Sequence, residues 1–264
     1  MTFGKTVERS KHLKYLFAGL VLYVFFLIVT APASLMEWLL PRLSNGRLEI
    51  TQSEGGFWHG KAQQVVLKKN DSSQRQLGSL EWEILLLPMF KMELATKIAL
   101  ENGQNKSQGV VAKSFGTFHI SNMNSILPIE VLADFMPAWQ MWKPEGELIF
   151  KAKDFSIGKK LAGEAMVEWR NASVSLSRIN PLGSYHMDLQ GDNSVSKIRL
   201  STLSGLLRIA GEGEWSSDRG IEFRGTAQAE PARKAELEDL LKLMGKEQRN
   251  GAYQIEISQM QKPK

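Results

Sequence analysis

The histidines His12, His59, His119 and His186 come first, because imidazole both ligates metals and moves protons near neutral pH. No two of them lie within one helix, and no H-E-x-x-H is present, so the spacing assembles no zinc site. They read as surface or strand-edge residues. The chain has no cysteine, which removes disulfide, thiol-nucleophile and cysteine-metal chemistry together. Serines are many, yet none sits in a G-x-S-x-G turn; Ser156 and Ser204 lie beside turn glycines as ordinary loop residues. No phosphate-binding glycine loop exists. The acidic pairs Glu81/Glu83 and Glu236/Asp239 fall on faces expected to be solvated, and they read as solvated charges rather than as general acid–base pairs. The inventory describes a non-enzyme with no cofactor and no metal.

The remaining candidates are aromatic. Residues 54–67 read EGGFWHGKAQQVVL, placing Phe57 and Trp58 between Gly56 and Gly60. Glycine in such a setting marks a bulge, a tight turn or close approach of another backbone. Trp58 is therefore expected to plug one end of a sheet. Trp139 and Trp142 stand near a helix end, and all three tryptophans are candidates for contact with a partner, set against plain core packing.

Elements must hold these residues, and the charge distribution says where. Residues 1–36 carry Lys5, Arg9, Lys11 and Lys14 against Glu8, a net +3. Of 33 basic and 28 acidic residues this leaves 29 and 27 on the remaining 228, nearly balanced. The dense basic clusters, Lys68-Lys69 and Lys159-Lys160, are short, so no stripe suits nucleic acid. From Tyr15 to Met36 no residue is charged; 22 helical residues span about 33 Å, enough for a bilayer core of about 30 Å. The basic residues before it and Glu37 after it predict a cytoplasmic amino terminus and a periplasmic bulk. Ala31-Pro32-Ala33 also resembles a signal-peptidase site, which makes cleavage the rival to an anchor.

Beyond Met36 the apolar residues recur with period two. Leu80, Trp82, Ile84 and Leu86, then Phe90, Met92, Leu94, Thr96, Ile98 and Leu100, predict half-buried strands, as do Leu148/Phe150/Ala152, Ala165/Val167/Trp169 and Tyr253/Ile255/Ile257. Two stretches are helical instead. NSILPIEVLADFMPAW offers Asn124 or Ser125 as cap, Pro128 in the first turn and Pro137 as stop; PARKAELEDLLKLMGKEQRNG opens at Pro231, with Gly245 or Gly251 available as the stop. Collinear matches suggest a duplication: GRLEI at 46–50 with GELIF at 146–150, Glu81-Trp82 with Glu168-Trp169, KMEL at 91–94 with HMDL at 186–189, KIAL at 97–100 with KIRL at 197–200, GVV at 109–111 with GLL at 205–207. The expected organisation is a tail over 1–14, a transmembrane helix over 15–36, and two periplasmic β-rich repeats over 37–145 and 146–264, each with a helix. The fold class is mainly β, an antiparallel sheet domain behind a membrane helix.

A basic tail, one apolar segment, the G-G-x-W-x-G element at Gly55–Gly60, an E-W strand, W-x-x-W at Trp139/Trp142 and N-P-L-G-S-Y at Asn180–Tyr185 resemble protein N of the type II secretion system. The resemblance implies a single-pass inner-membrane protein that serves export of folded proteins across the outer membrane. It implies the lipid bilayer and other secretion subunits as partners, and no catalytic residues. An analogy of architecture alone points to periplasmic β-groove proteins that handle lipid between membranes.

Overall fold

The computed structural model describes residues 4–68, 73–103, 105–135, 139, 141–158, 161–192, 196–216 and 220–259, with the side chains of 4–14, 135 and 259 outside the description. Lys69, Lys159-Lys160, Met136 and the helix stop expected at Pro137 lie outside the described residues. Two helices, α1 (Gly4–Val29) and α2 (Ser34–Leu43), precede strands β1 (Leu48–Gly55), β2 (His59–Lys68) and β3 (Gln74–Leu85). A one-turn α3 (Leu86–Met89) leads to β4 (Leu94–Asn102), β5 (Asn105–Ser114), β6 (Thr117–Pro128) and α4 (Ile129–Phe135). Then come β7 (Glu145–Ile157), β8 (Leu161–Ser173), β9 (Gly183–Asp192), β10 (Ser196–Gly205), β11 (Leu207–Ser216) and β12 (Gly220–Ala229). The chain closes with α5 (Lys234–Met244), β13 (Lys246–Glu247) and β14 (Tyr253–Gln259).

The fourteen strands among the described residues form one antiparallel sheet in the order β1 to β12, then β14 and β13. Every strand up to β12 pairs with the one before it, as short turns allow. The period-two pattern becomes two faces. Directly opposed residues Met123, Ala152, Ala165, Leu189, Ile198, Gly213, Phe223 and Ile257 run across β6 to β14 as one apolar row. The adjacent row on the other face reads Asp188, Arg199, Glu212, Arg224 and Glu256, alternating in sign over five strands. Arg199 Nε lies 3.1 Å from Glu212 Oε1. Such exposed pairs contribute only about 0.2–1 kcal/mol each, but a one-residue slip would drive the charges onto the apolar face. The pairing thus specifies register more than stability.

Three apolar clusters cover that face. The first joins Ile50, Val65, Leu67, Trp82 and Ile84 to Met36 and Leu40 of α2 and Val131 of α4. The second sets Leu237, Leu240 and Leu241 of α5 on Leu207, Phe223, Ala227 and Tyr253. The third, around Ala152, Phe155, Leu161 and Ala165, draws among the described residues on strands alone. Phe223 lies over glycines of its neighbours: a Cβ on Gly211 would stand 2.5 Å from its ring.

Several expectations are corrected. The uncharged run over 15–36 is not one helix: α1 ends at Val29, Thr30 Oγ1 donates back to the Phe26 carbonyl, and Pro32 bridges to Gly56. Among the described residues no helix is long and apolar enough to cross a membrane. Asn124 and Ser125 do not cap a helix; both stay in β6, opposite Lys151 and Phe150, and α4 starts only after Pro128. Phe90 and Met92 are not strand residues. Leu86–Met89 turns helical instead, Met92 takes φ 57°, and the alternation starts afresh at Leu94. α5 agrees with its pattern, apart from a 3₁₀ turn at Pro231–Arg233 before it.

The matched segments fall unevenly. GRLEI and GELIF sit at the starts of β1 and β7, KIAL and KIRL in β4 and β10, each pair six strands apart. Glu81-Trp82 and Glu168-Trp169 lie in β3 and β8, one strand out of step, and KMEL spans a turn where HMDL lies within β9.

Leu241 has no exposed surface in α5, whereas Leu243 is 64% exposed. Leu241→Ala is expected to lower the unfolding free energy by about 2–5 kcal/mol, and Leu243→Ala by no more than about 0.5 kcal/mol, in urea denaturation.

Candidate interaction site

The turn between β1 and β2 holds the segment that follows α1. Ala33 N–H donates to the Gly55 carbonyl (3.1 Å), Phe57 N–H donates to the Ala31 carbonyl (2.7 Å), and Trp58 Nε1 donates to the Ile28 carbonyl (2.7 Å). The last of these is a helix-end carbonyl that also accepts a longer bond from the Ala31 amide, at 3.4 Å. On its other side the turn is tied to β3: Ile84 N–H donates to the Trp58 carbonyl (2.7 Å), and Trp82 Nε1 to the Phe57 carbonyl (2.9 Å). Phe57 and Trp58 stack edge to face at 5.3 Å.

Both glycines are explained by what surrounds them. Gly55 takes φ 88°, a left-handed conformation open to glycine at little cost. At Gly60 an added Cβ would meet the Trp82 ring at 2.5 Å and the Gly56 carbonyl oxygen at 2.8 Å. The fully packed tryptophan here is Trp82, 3% exposed; Trp58 is half-buried and packs against the edge of the first cluster. Trp82 was legible only as a strand residue, although its ring is what excludes a side chain at 60.

Downstream, α2 lies along β1. The Ser53 amide and hydroxyl both donate to Glu37 Oε1, at 2.8 and 2.7 Å. These bonds, the hydroxyl's first, hold the Glu37 carboxyl below the usual 4.5. Ala33 of the Ala31-Pro32-Ala33 triplet is 2% exposed in this docked segment.

Trp139 and Trp142 occupy a different place. Trp139 is 37% exposed, and its carbonyl accepts from the Trp142 amide at 3.1 Å. Trp142 packs on the second cluster, while its own carbonyl accepts from the Ser175 amide (2.9 Å) and hydroxyl (3.1 Å). The structure does not bring Trp58 together with these two: they flank opposite ends of the strands. The Asn180–Tyr185 block is structural. Asn180 Oδ1 accepts from the Val174 amide, Leu182 N–H donates to the Ala172 carbonyl, and the Tyr185 hydroxyl donates to the Leu207 carbonyl at 3.0 Å. Burial pushes the Tyr185 hydroxyl well above the usual phenol range.

For catalysis the geometry offers little. His119 Nδ1 lies 3.1 Å from Ser156 Oγ on paired strands, and His186 Nε2 3.0 Å from Asp188 Oδ1. Among the described residues no three His, Asp or Glu side chains converge on a metal-sized site.

Trp58→Phe keeps the ring and removes the bond to Ile28, at an expected cost of about 0.5–1.5 kcal/mol, read as faster proteolysis in the 28–36 segment than in wild type. Glu37 yields a pH prediction. A carboxyl with a lowered folded-state pKa stabilises the fold above its unfolded value and loses that contribution as pH falls through the folded one. The stability difference between wild type and Glu37→Gln is therefore expected to shrink as urea denaturation is repeated below pH 4.5.

The model of the family described as type II secretion system (T2SS), protein N, matches residues 46–256. No curated protein and no solved structure matches the chain. The matched stretch begins two residues before β1 and ends inside β14, so it takes in nearly the whole sheet and leaves α1 and α2 outside. By that match the chain belongs to the type II secretion system protein N family.

Proposed function

We propose that this chain is an accessory, non-catalytic component of the type II secretion machine. It is held at the inner membrane by α1, and it supports export of folded proteins from the periplasm across the outer membrane. The observation that carries the reading is the family match across the sheet. A sheet with a charged face and, among the described residues, no convergent metal-binding side chains is suited to act by contact, with other secretion subunits as its partners.

Several features favour the anchor. Every large apolar side chain of Tyr15–Val29 is at least 44% exposed, a surface that water disfavours strongly. Those 15 residues rise about 22 Å, a length that a locally thinned bilayer accommodates. The four basic residues before the run favour a cytoplasmic amino terminus with the sheet in the periplasm. The buried, hydrogen-bonded state of Ala33 favours an uncleaved segment over a signal peptide. We further propose that the sheet arose from two units, β1–β6 with α4 and β7–β12 with α5, because each half runs six strands into one helix.

In a strain deleted for this chain, a secreted enzyme is expected to accumulate in the periplasm with the outer membrane intact, and the full chain supplied in trans to restore export. Normal export with a leaky outer membrane would sink the reading and favour a lipid-handling protein instead.

A further inference from the structure

Strand direction sorts the turns between two ends of the sheet. The β1–β2, β3–β4 and β5–β6 turns gather at one end, with the start of β1 and the end of β6 at the other. The first end is also where α1 finishes, since Trp58 in the β1–β2 turn bonds Ile28. The Trp58 carbonyl in turn accepts from Ile84, two residues before α3. The tip of the β3–β4 connection thus stands within one strand of the end of α1.

That tip is apolar and uncovered. Leu86, Leu87, Phe90 and Met92 are 54, 80, 88 and 71% exposed, and Phe115 in the neighbouring β5–β6 turn is 83% exposed. Isolated exposed leucines need no explanation, but a contiguous group on adjacent turns marks a contact surface. Two lysines share it. Lys91 sits between Phe90 and Met92, and Lys113 Nζ lies 5.3 Å from the centre of the Phe118 ring. Apolar tips with cationic groups beside them suit the boundary between acyl chains and headgroups.

We propose that this end of the sheet is a second membrane contact, in which the α3 tip and the β5–β6 turn insert into the leaflet from which α1 emerges. The proposal rests on the reading of α1 as an anchor. Its occupant is the bilayer because the surface is continuous with the exposed apolar helix: both belong to one end, joined through the hydrogen bonds of Trp58. The opposite end also carries exposed apolar residues such as Met141 and Leu243, but there the helices are turned onto the sheet: α5 buries Leu237, Leu240 and Leu241, and α4 contributes Val131 to the first cluster.

The chain has no cysteine, so single labels can be placed without background. Phe90→Cys and Phe115→Cys report the tips, Met141→Cys the opposite end and Val24→Cys the helix. Each full-length variant is labelled with a polarity-sensitive fluorophore and reconstituted in vesicles of phosphatidylethanolamine and phosphatidylglycerol. Labels at 90 and 115 are expected to be blue-shifted and quenched by lipid-borne nitroxide about threefold or more above the label at 141, which aqueous iodide quenches instead. Equal iodide quenching at 90, 115 and 141 overturns the proposal. The label at 24 separates the two readings. Lipid quenching at 24 with aqueous tips leaves the anchor standing and overturns the second contact. An aqueous label at 24 overturns the anchor and the contact that rests on it.

Discussion

The first strand of this sheet, β1, never meets the last, β13, so the sheet does not close, and that openness governs the rest of the molecule. It leaves two edges and one long apolar face to be covered. The first edge strand, β1, is flanked by α2, and the last is the two-residue β13, too short to template another chain. Among the described residues α2 and α4 serve the first cluster and α5 the second. Between them the strands manage with small residues, Ala152 and Ala165, around a single buried Phe155.

The same openness makes the β1–β2 turn consequential. Three hydrogen bonds tie it to residues 28–33 and two more tie it to β3. Five bonds at about 0.5–1.5 kcal/mol each are strong enough to make an ordered joint and weak enough to depend on its geometry. Glycine at 55 and 60 is what lets the backbone approach that closely.

Much of this was legible in the sequence, and the exceptions are physical. Alternation identified β3, β4, β7, β8 and β14, most cleanly in β3, where Trp82 and Ile84 are buried and Glu81 and Glu83 exposed; in β4 and β7 burial also reaches the other face, at Ala95 and Ile149. The apolar side of α5 was legible too, in Leu237, Leu240 and Leu241; of the two glycines that could stop it, Gly245 does, because the Gln254 carbonyl occupies the place of a Cβ there. α4 was placed too early because pairing with β7 keeps Asn124–Pro128 extended, a tertiary effect that no local signal carries. Phe90 and Met92 continued a period-two pattern by accident of composition; Pro88, which cannot donate in a ladder, was the overlooked sign of a break. The Gly-Gly-Phe-Trp turn reads as special in the sequence, yet what it grips lies 22–30 residues upstream in the chain, beyond the reach of local spacing.

Neighbour-only pairing also has a kinetic side. Contacts between adjacent strands are close in sequence, and chains rich in such contacts reach their folded state faster than sheets built from distant partners. Each strand through β12 has its template in the strand synthesised just before it. A chain threaded amino-terminus first can therefore add strands in order of arrival, with α4 completing the first cluster before β7 has emerged. β13 and β14 are the exception: β14 joins β12 across α5, so the final edge waits for the last residues of the sheet.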